Sequence, residues 1–292
     1  MITDKLITAA EKLRDGVDPL GDMLVKQGLV DYSYNPLVYA WEPHKAFIEL
    51  GGGKGANTLL LGMNPGPHGM GQMGIPFSAT SVVRDLLGIK GLEVNQPKKI
   101  HPKRPISGLD WHKEEVSGTR IWNLLEEYYG NIDEIFSNVF IVNHCPLMLF
   151  NGDRGTNITP DRISGKTVNK LLEICDEHLL QVVEIMDIKS VVGVGKYAEK
   201  RALKALKHLD VEITSCWHPS PASPLANRNK GNDWNTSRYP GFTQQSLAHM
   251  KVVGSFVVAM KFDLGDIPRQ EIQRPQKSHK RRRKIAKRPE KS

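Results

Sequence analysis

Asn64, Asn143 and His218 are the side chains whose types and settings best suit chemistry on a planar, amide-like ligand. Asn64 lies in GMNPGPHGMGQMGIPF at 62–77, a run holding three prolines and five glycines. That much local restraint fixes a backbone path and lets a ligand come close to it. The carboxamide of Asn64 carries donors and an acceptor, so it can hold a water but cannot take its proton. Asn143 can bond an amide-like ring edge in bidentate fashion. His218 opens HPSPASP, a loop stiffened by three prolines, and Phe77 is a loop aromatic suited to stacking on a flat ring. Singly, each has an ordinary structural use: Asn at a strand end often forms a turn, and a lone His is usually structural. Their conjunction in one place is what would make a site.

The elements that must position them are legible as four apolar runs, each ending in a polar loop. Thr58–Leu61 leads into GMNPGP, Val139–Val142 into NHCPL, Ser190–Val194 into GKYAEK, and Val211–Thr214 into SCWHPSP. Helical patterns lie around 80–88, 117–130, 165–186 and 196–208. Short apolar runs alternating with helices predict a parallel sheet covered on both faces, an α/β class protein. Ligands of such sheets bind outside the carboxyl ends of the strands, where all four loops would sit. Residues 3–30, interrupted by Gly16, Pro19 and Gly21, read as two short helices, with another near 43–50. The stretch 89–116 has little periodicity, and 243–262 reads as a closing helix. GGGKGAN at 51–57 lacks the GxxxxGK[ST] spacing of a phosphate loop and precedes a strand instead of following one. GVGK at 193–196 reads as a strand-to-helix turn.

Composition bounds the rest. The chain has 292 residues, 39% hydrophobic and 25% charged, values ordinary for a globular protein. The amino terminus spreads charge among its apolar residues, unlike a secretory signal, and no apolar run approaches the roughly 18 residues of a membrane span. Cys145, Cys175 and Cys216 are scattered, which predicts reduced core thiols, with no metal site and no cofactor signalled. The net charge of +8 is carried by the end of the chain: Arg274 to Ser292 holds ten Lys/Arg and one acid, Glu290. A like-charged block of this kind predicts a disordered tail that grips phosphates or serves as an address.

A family resemblance adds to this reading. YNPLVYAWEPH at 34–44, GMNPGPHGMGQMGIPF at 62–77, HPKRPISG at 101–108, EVSGTRIW at 115–122, NHCPL at 143–147, SVVGVG at 190–195 and HPSP at 218–221 resemble, in order, the single-strand-selective monofunctional uracil-DNA glycosylases. The resemblance runs over about 32–240 and leaves out the extreme amino terminus and the basic tail. It implies a three-layer α/β/α sandwich around a four-stranded parallel sheet. The expected divisions are a helical extension at 1–31, the glycosylase domain at 32–264 and the tail at 265–292.

The resemblance also implies roles. Asn64 would position the attacking water, and His218 would donate to O2 of the departing base. Asn143 would read the base edge, Phe77 would stack on the ring, and Met63 would border it. Gly66 stands where related narrow-specificity enzymes carry a bulky Tyr, leaving room at the C5 face for groups such as hydroxymethyl. Pro219, Ser220, Pro221, Ala222, Arg228 and Lys230 would form the loop that wedges into DNA. Ala222 stands where vertebrate relatives have Arg, so Arg228 or Lys230 would supply that charge, and His68 stands where Phe is frequent. The partner would be uracil-containing DNA, single- or double-stranded, met by a monomer in the nucleus of a host that has one and otherwise in the cytoplasm. Two other readings stand beside this one: release of deaminated purines such as xanthine or hypoxanthine, and DNA binding without catalysis.

Overall fold

A computed structural model describes residues 1–221 and 223. Ala222, Arg228, Lys230, the apolar segment at 243–262 and the basic tail at 265–292 lie outside the described residues. The chain begins with helix α1 (Ile2–Lys26), strand β1 (Tyr32–Tyr34) and helices α2 (Pro36–Tyr39) and α3 (Trp41–Gly51). Strand β2 (Thr58–Gly62) and the short helix α4 (Met70–Met73) follow. A π-helical segment (Val82–Leu86) and a 3-10 turn (Gly108–Asp110) lead to α5 (Val116–Tyr129) and α6 (Ile132–Asn138). Next are β3 (Val139–Asn143), β4 (Met148–Asn151), β5 (Thr156–Ile158) and a 3-10 turn (Pro160–Arg162). Helix α7 (Lys166–Met186), β6 (Ser190–Val194), α8 (Lys196–Ala205) and β7 (Glu212–Cys216) complete the order.

Four strands form one parallel sheet in the order β3-β2-β6-β7. Every residue of β2, β3 and β6 is buried, which is why these strands read as unbroken apolar runs and not as alternating ones. Register aligns their carboxyl ends: Gly62 lies beside Asn143, and Val194 beside Cys216. The chain leaves β2 toward β3 on one side and later returns to β6 on the other. That reversal opens a crevice between the loops after β2 and β6, the usual place for a ligand in a doubly wound sheet. The expected α/β architecture is therefore present.

Three local expectations are corrected. Residues 3–30 do not form two helices; α1 is continuous through Pro19. Its glycines serve contact instead of interruption. A Cβ on Gly16 would stand 3.3 Å from Ile174 of α7, and one on Gly21 would run into the Ser33 hydroxyl of β1. Packing along α7 and β1 offsets the one helical hydrogen bond that proline removes. The helix around 80–88 is a π-helical segment at Val82–Leu86. The last strand is Glu212–Cys216, shifted toward the carboxyl side of the expected run.

The sequence pattern missed α6 and a second, antiparallel sheet of order β1-β4-β5. The stretch 89–116 has little regular structure but is tied down. The backbone N–H of His101 donates to the Tyr34 hydroxyl at 2.6 Å, and Arg104 Nε donates to the Gly155 carbonyl at 2.8 Å. Lys98 pairs with Asp18 and Asp22 of α1. HPKRPISG thus works as a strap onto the second sheet. All three cysteines are buried free thiols, and no helix among the described residues is long and apolar enough to cross a membrane.

Candidate active site

Gly62 closes β2 at a point where no side chain fits: a Cβ there would collide with Asn143 Oδ1 and the Phe77 ring. Past it the loop stays laced to the loop after β3. His144 N donates to Gly62 O at 3.0 Å, and Cys145 N to Met63 O at 2.9 Å. Asn143 and Asn64 are thereby carried on two loops that extend the sheet pairing into the crevice. The far end of the 62–77 run is held by Gln72, whose Nε2 donates to Pro67 O and Pro105 O at 3.0 and 3.1 Å. Its Oε1 accepts from Ser107 N at 2.8 Å. A buried amide with its polar atoms engaged in this way is a rigid bracket, and it joins the run to the strap.

Phe77 has a left-handed backbone, φ 50°, unusual for an aromatic residue. Backbone strain of this kind persists where surroundings over-determine it and is concentrated at functional sites. Gly118 helps to impose it, since a Cβ there would strike the Phe77 carbonyl. The Phe77 ring centroid lies 6.2 Å from that of His218, tilted by 43°.

His218 is fixed from both sides. Its Nδ1 faces the backbone N–H of Ser220 at 3.1 Å. An amide N–H can only donate, so Nδ1 accepts and the ring proton sits on Nε2. Burial lowers the imidazole pKa, favouring the neutral ring. Arg120 of α5 reaches across to donate through Nη1 to the Pro219 carbonyl at 2.7 Å. The turn after β6 backs the histidine closely: a Cβ on Gly195 would stand 3.4 Å from His218 Cβ.

These residues share one cavity of about 360 Å³, lined by Met63, Asn64, Gly66, Phe77, Asn143, His218 and Ser220 among others. That size suits a small-molecule or base pocket. Every site residue expected from the sequence to touch the base is therefore in one wall or another. Of the expected DNA-contacting loop, Ser220 reaches the cavity, while Pro219 and Pro221 follow on the same loop outside its lining. Among the described residues Asn64 is nearly uncommitted, its side chain making one hydrogen bond, Nδ2 to Pro65 O at 3.5 Å. Among the described residues Asn143 Nδ2 donates only to Met70 Sδ, at 3.0 Å, a weak acceptor. Both amides are thus available to a ligand.

Behind Asn143 lies a charged support. His144 Nε2 donates to Asp176 at 2.9 Å, its Nδ1 accepts from the Tyr197 hydroxyl at 3.0 Å, and Arg201 grips Asp176. A carboxylate only accepts, so this again fixes one neutral tautomer, and burial lowers the His144 pKa in the same direction.

Sequence reasoning gave no role to three further lining residues, Glu115, Asn157 and Thr159. Asn157 Oδ1 is buried without a hydrogen-bond partner among the described residues, and its strand β5 belongs to the sheet that the pattern did not reveal. Glu115 precedes α5, and its carboxylate occupies the space a Cβ on Gly66 would need. Burial raises its pKa, and the His68 backbone N–H, donating at 3.3 Å, partly opposes that. The only available signal was its place in EVSGTRIW.

Comparison with known proteins gives the family. The family profile "Uracil DNA glycosylase superfamily" matches residues 51–239. A single-strand selective monofunctional uracil DNA glycosylase of Bos taurus is 44% identical over 202 residues, 68% of this chain and 74% of that protein. Its namesake in Rattus norvegicus is 43% identical over 206 residues, 70% of this chain and 72% of that protein. The Mus musculus protein of the same name is 43% identical over 197 residues, 67% of this chain and 70% of its own length. In structure, Pedobacter heparinus SMUG2 aligns with a TM-score of 0.49 and 18% identity, covering 77% of this chain and 87% of that one. The chain belongs to the uracil-DNA glycosylase superfamily, within its single-strand-selective monofunctional family.

Proposed function

We propose that this protein is a monofunctional DNA glycosylase that removes uracil and 5-substituted uracils such as 5-hydroxymethyluracil from single- and double-stranded DNA. The bond between base and sugar is broken by water, leaving an abasic site with no covalent lyase step. The observation that carries this reading is a water-holding amide, Asn64, and a neutral donor, His218, in the walls of one cavity with Phe77 and Asn143.

The chemistry needs no more than these groups provide. As the C1′–N1 bond breaks, its electron pair leaves with the base as a uracil anion, and the sugar becomes oxocarbenium-like. So electrophilic a carbon accepts a weak nucleophile, so Asn64 has only to orient a water, not deprotonate it. The water oxygen bonds to C1′ and its spare proton passes to solvent or to the departing anion. Negative charge collects on O2 of the base, where the Nε2–H of His218 stabilises it. A preorganised donor at such a position contributes about 2.7–4 kcal/mol. Asn143 satisfies the N3–H and O4 edge, and Phe77 covers a ring face. The base reaches the cavity from a single strand, or from a duplex after flipping at a cost of a few kcal/mol.

The test is to incubate pure protein with single-stranded DNA containing one uracil and measure free base. Release of uracil with no strand cleavage before alkali is the expected result. DNA that is bound but left intact would favour a non-catalytic binder instead. The same assay with xanthine- or hypoxanthine-containing DNA separates release of deaminated purines from this reading.

A further inference from the structure

Glu115 is a carboxylate in the cavity wall that the chemistry above does not use. It stands before the first turn of α5, yet its side chain caps no backbone N–H of that helix. Among the described residues the one hydrogen bond its carboxylate accepts is the 3.3 Å contact from the His68 N–H, although a carboxylate offers about four acceptor positions. Among the described residues it has no ion-pair partner. A mostly buried anion without a cation is costly, so packing alone does not account for it. The loop opposite is shaped around it. A Cβ on Gly66 would run into the carboxylate, and one on Gly69 would stand 3.0 Å from the Glu115 Cβ.

Which part of a base this carboxylate meets follows from the groups already placed, and so rests on the reading under Proposed function. His218 takes O2, Asn143 takes N3–H and O4, and Phe77 takes a ring face. The C5 edge is what is left, and of the polar lining groups still without a role Glu115 is the one that stands against the Gly66 loop. We propose that Glu115 determines specificity at C5: its carboxylate accepts a hydrogen bond from a 5-hydroxymethyl group and repels a 5-carboxylate. The cavity sorts C5 substituents by charge and hydrogen-bond donation as well as by size. Gly66 supplies the room that the carboxylate occupies, and Glu115 sets which C5 group can approach it.

The experiment uses the full chain and three single-stranded oligonucleotides carrying uracil, 5-hydroxymethyluracil or 5-carboxyuracil. Single-turnover rates are compared as ratios to uracil within each variant, which removes any general loss of activity. Glu115→Gln keeps the shape and removes the charge. It should raise the 5-carboxyuracil ratio about tenfold or more and lower the 5-hydroxymethyluracil ratio about fivefold, because bonds to charged acceptors are the stronger ones. Glu115→Asp keeps the charge, so it should still exclude 5-carboxyuracil while losing preference for the hydroxymethyl group. Ratios within twofold of wild type in Glu115→Gln, or free entry of 5-carboxyuracil in Glu115→Asp, would overturn the proposal. Failure of the wild-type protein to release any of the three bases is a separate result and would overturn the glycosylase reading itself.

Discussion

The backbone N–H of Ser220 donates to Nδ1 of His218 at 3.1 Å, two residues along the same proline-bound loop. The contact decides which ring nitrogen carries the proton, and so turns a histidine into a one-sided donor. Its consequence is visible without substrate. Nitrogen NMR of the free protein should show His218 as the Nε2–H tautomer, titrating below the ordinary 6.5 because burial lowers its pKa. A ring protonated on Nδ1, or titrating above 6.5, would remove the neutral donor from the mechanism.

Arg120 acts on the same loop from outside the chemistry. Its Nη1 bond to the Pro219 carbonyl at 2.7 Å ties α5 to the residue after His218. Replacing it with Ala should lower kcat about tenfold with KM changed less, since a charge-assisted bond is lost that holds geometry and not substrate. Arg120→Lys should recover part of the loss. Equal losses in both variants, or a change confined to KM, would mean that Arg120 does not position His218.

Stability should depend on pH through His44. Its ring is buried, donates from Nδ1 to Gly74 O at 2.7 Å and has a pKa lowered to about 4 by burial. Unfolded, it titrates near 6.5. Between these values the unfolded chain binds the extra proton, so the contribution is complete above about 6.5 and is lost as pH falls toward 4. The loss amounts to about 3 kcal/mol. Urea unfolding at pH 7 and pH 4.5 measures it. His44→Asn, which keeps a donor but does not titrate, should reduce the slope and leave the part due to other rings such as His178, whose pKa burial lowers to about 3; an unchanged slope would exclude His44 as a source.

The parallel sheet was legible because its strands are buried on both faces, and four apolar runs ending in polar loops have few other solutions. The cavity-lining residues were legible for the same reason, once strand order put Asn64, Asn143 and His218 at one end. The antiparallel sheet was not, because strands such as Tyr32–Tyr34 and Thr156–Ile158 are too short for periodicity to register. Asn157 and Thr159 were missed with it. In α1, Pro19 and the glycines have the appearance of breakers, whereas the glycines answer to the close approach of Ser33 and Ile174, which the sequence does not display. Glu115 stayed silent because its meaning depends on Gly66, distant along the chain and adjacent in space.

The division of labour between Asn64 and the rest of the cavity is the core of this account. It is tested by the single-turnover rate of Asn64→Ala on uracil-containing single-stranded DNA, measured together with its affinity for that DNA. An oriented water matters only in the transition state, so the rate should fall about 100-fold or more while Kd stays within about threefold of wild type. Rate and affinity falling together, or a rate that does not fall, would contradict the assignment of Asn64 as the residue that holds the attacking water.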